Sequence, residues 1–207
     1  MENIGILDIG MGNIRSVFNA IYENGFDPII VDSVAQLDDM THLVIPGVGA
    51  YRTAMSHIAE KNFYAPLKEF AESGRPLLGI CLGMQILSDS GVEGGVSEGL
   101  GVIHGEVLPL DVSEELRVPH VGWNEVVFDV NHPIFEEVKT DRDFYFVHSY
   151  AFNCANQNEV IAHTNYGKKI TCIVGKGNVV GIQFHPEKSQ VNGLKILENF
   201  CSWDGLC

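Results

Sequence analysis

Residues 76–83, Pro-Leu-Leu-Gly-Ile-Cys-Leu-Gly, constrain the fold more than any other stretch of the chain. A cysteine between two glycines, directly after an apolar run, has the layout of a nucleophile elbow. A strand turns sharply into a helix, the glycines leave room for a tight and strained turn, and the residue after the nucleophile offers a backbone N–H to an oxyanion. The sequence therefore predicts a strand over 77–80, the thiol of Cys81 at its end, and a helix over 84–89 whose positive end points at the sulfur. A helix N-terminus favours the thiolate, which is the reactive form. The competing reading is a small buried cysteine in a Gly-rich turn, a common and inert arrangement.

Far downstream, Gln183-Phe184-His185-Pro186-Glu187 weighs against the inert reading. A thiol acyl-transfer site needs a base for the thiol proton and an acid to orient that base. His185 and Glu187 are of those types, and in an extended segment residues two apart project to one side, with Pro186 stiffening the link. Singly, His185 reads as a satisfied histidine and Glu187 as a solvated charge. Together with the elbow they read as base and orienter.

The first half of the chain alternates strand and helix periods. A buried strand over 3–8 precedes a helix with Ile14, Val17, Phe18, Ile21 and Tyr22 on one face, stopped by Gly25. Strands over 28–32 and 42–45 and helices over 52–60 and 65–73 follow. Such alternation predicts an α/β fold, a mostly parallel sheet flanked by helices on both faces. The second half adds strands over 101–108, 125–130, 144–151, 160–163, 170–175 and 179–184, and a closing helix over 194–200. The segment 91–101 reads as a surface loop and Lys168-Lys169 as a solvated one.

Ligands of an open α/β sheet sit outside the carboxyl ends of its strands. The elbow, the turn Pro46-Gly47-Val48-Gly49 and His185 all follow predicted strands, so all can converge there. The glycines of that turn allow a backbone N–H, that of Val48, to face a developing oxyanion, and with the Leu82 N–H this makes a two-donor hole; an ordinary turn is the alternative. Asp8, Gly10, Gly12 and Asn13 lack the G-x-G-x-x-G spacing, and an acid at Asp8 opposes phosphate. We read them as a helix cap by Asn13 with tight strand–helix packing.

At 207 residues with 45% hydrophobic content, the chain can bury a full core as one domain, 1–207. Five cysteines, at 81, 154, 172, 201 and 207, show neither C-x-x-C metal spacing nor an even-numbered framework, which points to a reducing compartment, no zinc and no other metal. Residues 4–7 are too short for a signal core and no apolar run approaches a membrane span, so the expected location is the cytoplasm. The net charge of −14, without a basic patch, argues against nucleic acid. The acidity reads as solubility, or as a match for a partner with a basic docking face.

The elbow with Cys81 and the pair His185/Glu187 resemble the Cys-His-Glu triad of class I glutamine amidotransferases. Leu7-Asp8-Ile9-Gly10-Met11-Gly12-Asn13, Pro46-Gly47-Val48-Gly49-Ala50, Val118-Pro119-His120-Val121-Gly122-Trp123-Asn124, Tyr145-Phe146-Val147-His148-Ser149-Tyr150 and Phe184-His185-Pro186-Glu187-Lys188-Ser189 run in the order seen in the glutaminase subunits of imidazole glycerol phosphate synthases. The resemblance spans essentially the whole chain, with one departure: Ile9 stands where tyrosine is usual.

That resemblance implies a flavodoxin-like amidotransferase fold without a cofactor, and hydrolysis of L-glutamine to glutamate and ammonia through a Cys81 thioester. It further implies that Gly49 and Gln85, with groups near His148, Ser149 and Tyr150, hold glutamine, and that the oxyanion segment is dormant until a partner binds. Trp123 and Lys188 fall at the partner interface. The partner is a (β/α)-barrel synthase subunit in a heterodimer, which receives the ammonia and forms imidazole glycerol phosphate and an aminoimidazole carboxamide ribotide in histidine biosynthesis. Motif residues do not separate this from a paralogous subunit supplying a nucleotide-sugar amidotransferase in surface-polysaccharide synthesis. A stand-alone γ-glutamyl hydrolase or peptidase of similar fold is a further alternative, and the presence of all three triad types disfavours a regulatory binding subunit.

Overall fold

The computed structural model describes residues 2–113 and 115–206, so Cys207 lies outside the described residues. The apolar periods of the first half become β1 (Ile4–Leu7), α1 (Ile14–Glu23), β2 (Ile29–Val31), β3 (His42–Gly47), α2 (Tyr51–Glu60), α3 (Tyr64–Glu72), β4 (Leu77–Cys81) and the one-turn α4 (Leu82–Gln85). The second half is β5 (Ser90–Gly91), β6 (Ser97–Glu98), β7 (Gly105–Pro109), β8 (His120–Phe128), β9 (Arg142–His148), β10 (Tyr150–Cys154), β11 (Val160–Tyr166), β12 (Lys168–Lys176), β13 (Val179–Ile182) and α5 (Gln190–Ser202).

Nine strands form one sheet in the order β2-β1-β3-β4-β13-β12-β11-β8-β9. From β2 to β13 every pairing is parallel, and from β13 to β9 every pairing is antiparallel. The central strands carry apolar residues on both faces. Leu7, Leu43, Ile45 and Leu77 pack with α2 and α3, while Ile4, Ile6, Val44, Leu78 and Ile80 pack with α1 and α5. This period-two split across a buried parallel sheet places helices on both sides. A four-stranded sheet, β10-β7-β5-β6, forms beside it. No helix among the described residues is long and apolar enough to cross a membrane.

Several local expectations are corrected. The helix after the elbow stops at Gln85 because the carbonyls of Ile86, Leu87 and Ser88 accept from the N–H groups of residues 100–103 and not from a next helical turn. That docking buries only the ends of 91–101, at Gly91, Gly99 and Leu100; Gly94, Gly95, Val96 and Glu98 stay exposed as expected of a surface segment, which is ordered by the β5–β6 hairpin. The apolar run 144–151 divides at Ser149, since β9 pairs with β8 and β10 turns away to pair with β7. Lys168 and Lys169 open β12 and form ion pairs with Asp111 (2.8 Å) and Asp129 (3.1 Å). Tyr22 is exposed, and Ala20 joins Val17 and Ile21 on the buried face of α1.

Asn13 occupies the N-cap position of α1, but its side chain caps nothing. The tight packing does occur: a Cβ at Gly12 would sit 3.1 Å from the Pro46 carbonyl oxygen. Ile9 is a core residue, and its carbonyl accepts from His57 Nδ1 at 2.9 Å.

Candidate active site

Three neighbouring parallel strands, β3, β4 and β13, bring the predicted site together at their carboxyl ends. Cys81 ends β4 at φ 54°, ψ −107°, a conformation that L-residues seldom adopt and that folds hold only under constraint. The constraint is close packing. A Cβ at Gly83 would collide with the Ile45 carbonyl, and one at Gly79 would fall 2.7 Å from the Met84 nitrogen. Only glycine on both sides of the cysteine lets α4 begin against β3.

His185 is fixed by its backbone before its side chain acts. Its N–H donates to the Tyr145 carbonyl at 2.9 Å, and its carbonyl accepts from the Ser189 hydroxyl at 2.6 Å. Glu187 reaches it by a route different from the expected extended segment. The chain enters a 3-10 turn, Pro186–Lys188, which carries Glu187 back until Oε1 lies 2.9 Å from His185 Nδ1. Both side chains are almost wholly buried, at 2% and 1% exposure. With the carboxylate accepting from Nδ1–H, the free ring nitrogen is Nε2, which makes no hydrogen bond of normal geometry. Burial opposes charge on this ring, but hydrogen bonding and charge from Cys81 and Glu187 outweigh it, and the pKa rises from 6.5 to about 9. The imidazolium form is therefore favoured at neutral pH.

The Cys81 sulfur lies 3.9 Å from the Val147 carbonyl and 3.6 Å from Gln183 Nε2, which donates to it. It opens into a cavity of about 480 Å³. Val48, Gly49, Cys81 and Leu82 form one wall; Gln85, His148, Ser149, Tyr150 and His185 complete most of the rest. Leu82 begins α4, so its N–H is among those that helix geometry leaves without an internal acceptor. Gly49 has φ +105°, which turns the peptides on either side of it in a way other residues resist. Gln85 has less freedom than a ligand-gripping side chain: its Nε2 donates to the Tyr150 carbonyl at 3.2 Å and to Gln183 Oε1 at 3.0 Å, leaving its carbonyl oxygen for a ligand. His148 Nδ1 donates to the same Tyr150 carbonyl at 2.8 Å, and burial lowers its pKa to about 4.

Two functional candidates escape sequence reasoning. Glu93, from the segment read as a surface loop, lines the cavity, its Oε2 accepting from the Tyr51 N–H at 3.1 Å. Gln183 was visible as part of the His185 motif, but nothing in the spacing shows that its amide reaches the sulfur.

Trp123 and Lys188 lie outside the cavity lining. Trp123 on β8 is half exposed and meets Tyr145 of β9 edge-on at 5.9 Å, while Lys188 Nζ lies 5.8 Å from the same ring. Val121, two residues along β8, and Val118 are exposed as well, and Pro119 between them lines the cavity. An apolar surface thus adjoins the pocket. Among the described residues no cluster of three or more His, Cys, Asp or Glu side chains is spaced to hold a metal ion.

The chain is similar over nearly its whole length to known proteins. The family profile glutamine amidotransferase class-I matches residues 5–202. The chain is 46% identical over 206 residues to the imidazole glycerol phosphate synthase subunit HisH of Sulfurimonas denitrificans, covering 98% of this chain and 99% of the relative. It is 44% identical over 202 residues to the HisH of Methanosarcina barkeri, covering 97% and 98%. Among solved structures, PurLQS from Thermotoga maritima matches with a TM-score of 0.76 at 20% identity, covering 98% of this chain and 99% of that one, which shows a shared fold.

Proposed function

The chain belongs to the class I glutamine amidotransferases, and from that premise we propose that it is the glutaminase subunit of an imidazole glycerol phosphate synthase, acting as one domain with Cys81 as nucleophile. One observation carries the chemical reading: Cys81, His185 and the carboxylate of Glu187 follow one another from the cavity inward, with the raised pKa of His185 reflecting both neighbours.

In this reading glutamine enters with its carboxamide at Cys81. The sulfur attacks the carboxamide carbon, and the N–H groups of Leu82 and Val48 receive the oxyanion. His185 Nε2 gives its proton to the departing nitrogen, so ammonia leaves and a thioester remains. The neutral imidazole then takes a proton from water, which attacks the thioester and releases glutamate. Glu187 keeps Nδ1 protonated throughout and balances the imidazolium. Among the described residues Glu93 is the one acid lining the cavity and suits the α-ammonium of glutamine, while backbone groups at Ser149 and Tyr150 suit its carboxylate.

The ammonia passes to a (β/α)-barrel partner bound over the apolar surface around Trp123, with Lys188 beside it. Unregulated hydrolysis wastes glutamine, and Val48 and Gly49 sit at the pocket edge where a docked partner could bias one peptide orientation; loss of one oxyanion donor is worth on the order of a hundredfold in rate. The test is steady-state glutamate production by the chain alone, with a barrel synthase partner, and with that partner holding its ligand. The expected result is a poor lone enzyme, switched on stepwise. Full activity of the lone chain, unchanged by the partner, refutes the subunit reading and favours a stand-alone hydrolase.

A further inference from the structure

We propose that Gln183 is a positioning residue, donating a side-chain N–H to the Cys81 sulfur and so holding the thiolate in place for attack. The inference rests on Cys81 being the nucleophile. Its evidence is a buried chain of hydrogen bonds whose direction is determined at every link.

The starting point is the Tyr150 carbonyl, which can only accept. It takes one hydrogen bond from His148 Nδ1 at 2.8 Å and one from Gln85 at 3.2 Å, so Gln85 must present its NH2 there. The same NH2 faces Gln183 at 3.0 Å, so Gln183 must present its oxygen. The NH2 of Gln183 is then the group 3.6 Å from the Cys81 sulfur. A flipped Gln183 would set two donors against each other at Gln85 and a carbonyl oxygen against the sulfur. Gln183 is wholly buried, so no water competes for the amide.

The other end is anchored equally firmly. His148 Nε2 must accept, and His120 Nδ1 lies 2.9 Å away as the donor; His120 Nε2 in turn accepts from Asn124 Nδ2 at 3.3 Å. The His120 ring lies between Phe146 and Tyr166, with centroids at 4.9 and 4.0 Å. Burial lowers both histidines to about 4, so the chain keeps its direction at neutral pH.

An N–H aimed at sulfur favours the anion over the thiol, because the bond becomes charge-assisted only when the sulfur is charged. The ionisable side chains that share the cavity with the sulfur are His185 with Glu187 behind it, His148 from β9, Tyr150 from β10 and Glu93 from the segment after β5. Gln183 differs from all of them: it is uncharged, so its influence on the sulfur does not itself titrate.

The experiment measures the pH dependence of iodoacetamide alkylation of Cys81 in the full chain, with Cys81→Ala as blank. The variants are Gln183→Met, which keeps length and removes the donor, and Gln183→Glu, which keeps shape and replaces the donor by a carboxylate. The half-maximal pH is expected to rise by about one unit in Gln183→Met, a tenfold loss of thiolate at a given pH, and further in Gln183→Glu. With partner present, kcat of Gln183→Glu, which keeps the oxygen that holds Gln85, should fall about tenfold while the KM for glutamine changes little, as for a group that acts on the nucleophile and not on the substrate. If one variant does not fold by near-UV circular dichroism, the other carries the same readout.

A diazoketone analogue of glutamine separates this proposal from the reading beneath it. Labelling of Cys81 in the parent, together with alkylation profiles that superimpose for parent and variant, overturns the role of Gln183 and leaves the nucleophile in place. Labelling of the parent elsewhere overturns both.

Discussion

Glu187→Gln isolates the charge behind His185 from the geometry that holds it. The substituted amide oxygen can still accept from Nδ1 at the 2.9 Å seen for Oε1, so the ring keeps its place while the balancing charge disappears. A hydrogen bond to a charged group is worth about 1.5–3 kcal/mol against about 0.5–1.5 for a neutral one. The difference of about 1.4 kcal/mol corresponds to one pH unit, so the midpoint of His185 is expected to fall from about 9 to about 8.

The same shift is a statement about stability. A histidine raised from 6.5 to about 9 on folding contributes on the order of 3 kcal/mol, present in full below pH 6.5 and lost as pH rises through 9. The variant should show a smaller loss, complete at lower pH. At neutral pH the variant should be less stable by about 1.4 kcal/mol, the one-unit fall in the His185 midpoint, because the buried imidazolium is left without its balancing charge. Side-chain NMR titration of His185 and denaturant unfolding from pH 6 to 10 read these quantities, and kcat/KM reads the chemistry. His185→Ala should cost at least as much activity, and the double variant should be far from additive. An unmoved His185 midpoint in Glu187→Gln, or activity losses that simply sum, would refute the reasoning.

Cys81→Ala should abolish glutamine hydrolysis with the fold intact by circular dichroism, and an electrophilic glutamine analogue should modify Cys81 while sparing the other buried thiols; burial raises Cys154, holds Cys172 well above its ordinary value and pushes Cys201 up to about 12. Mass spectrometry of the labelled peptides checks the selectivity. Glu93→Gln should raise the KM for glutamine about tenfold with a small change in kcat, because it removes an ion pair made equally in ground and transition states; a kcat loss with unchanged KM would remove Glu93 from substrate binding. Gly83→Ala should destabilise by about 3 kcal/mol or more in denaturant unfolding, since its Cβ meets backbone and not a side chain that can move aside.

The sequence by itself determined the elements of the parallel half and the chemistry they carry. Apolar periods located β1, β3, β4, α1, α2 and α3 to within a few residues, because strands buried on both faces and amphipathic helices leave local patterns. Gly-x-Cys-x-Gly marked the elbow because backbone crowding excludes a side chain at positions 79 and 83, two residues either side of Cys81. What the local pattern could not carry is anything decided by a distant partner. The helix after Cys81 ends early because residues 100–103 take its carbonyls, the run 144–151 divides because β10 finds β7, and Glu93 reaches the cavity because its hairpin folds inward. The approach of Glu187 to His185 comes from a 3-10 turn and not from extended spacing. The direction of the amide chain from Tyr150 to Cys81 is tertiary throughout. Its donors and acceptors come from three separate segments, 81–85, 148–150 and 183, and a hydrogen bond's sense depends on which atom faces it across space, a relation that spacing along a chain does not encode.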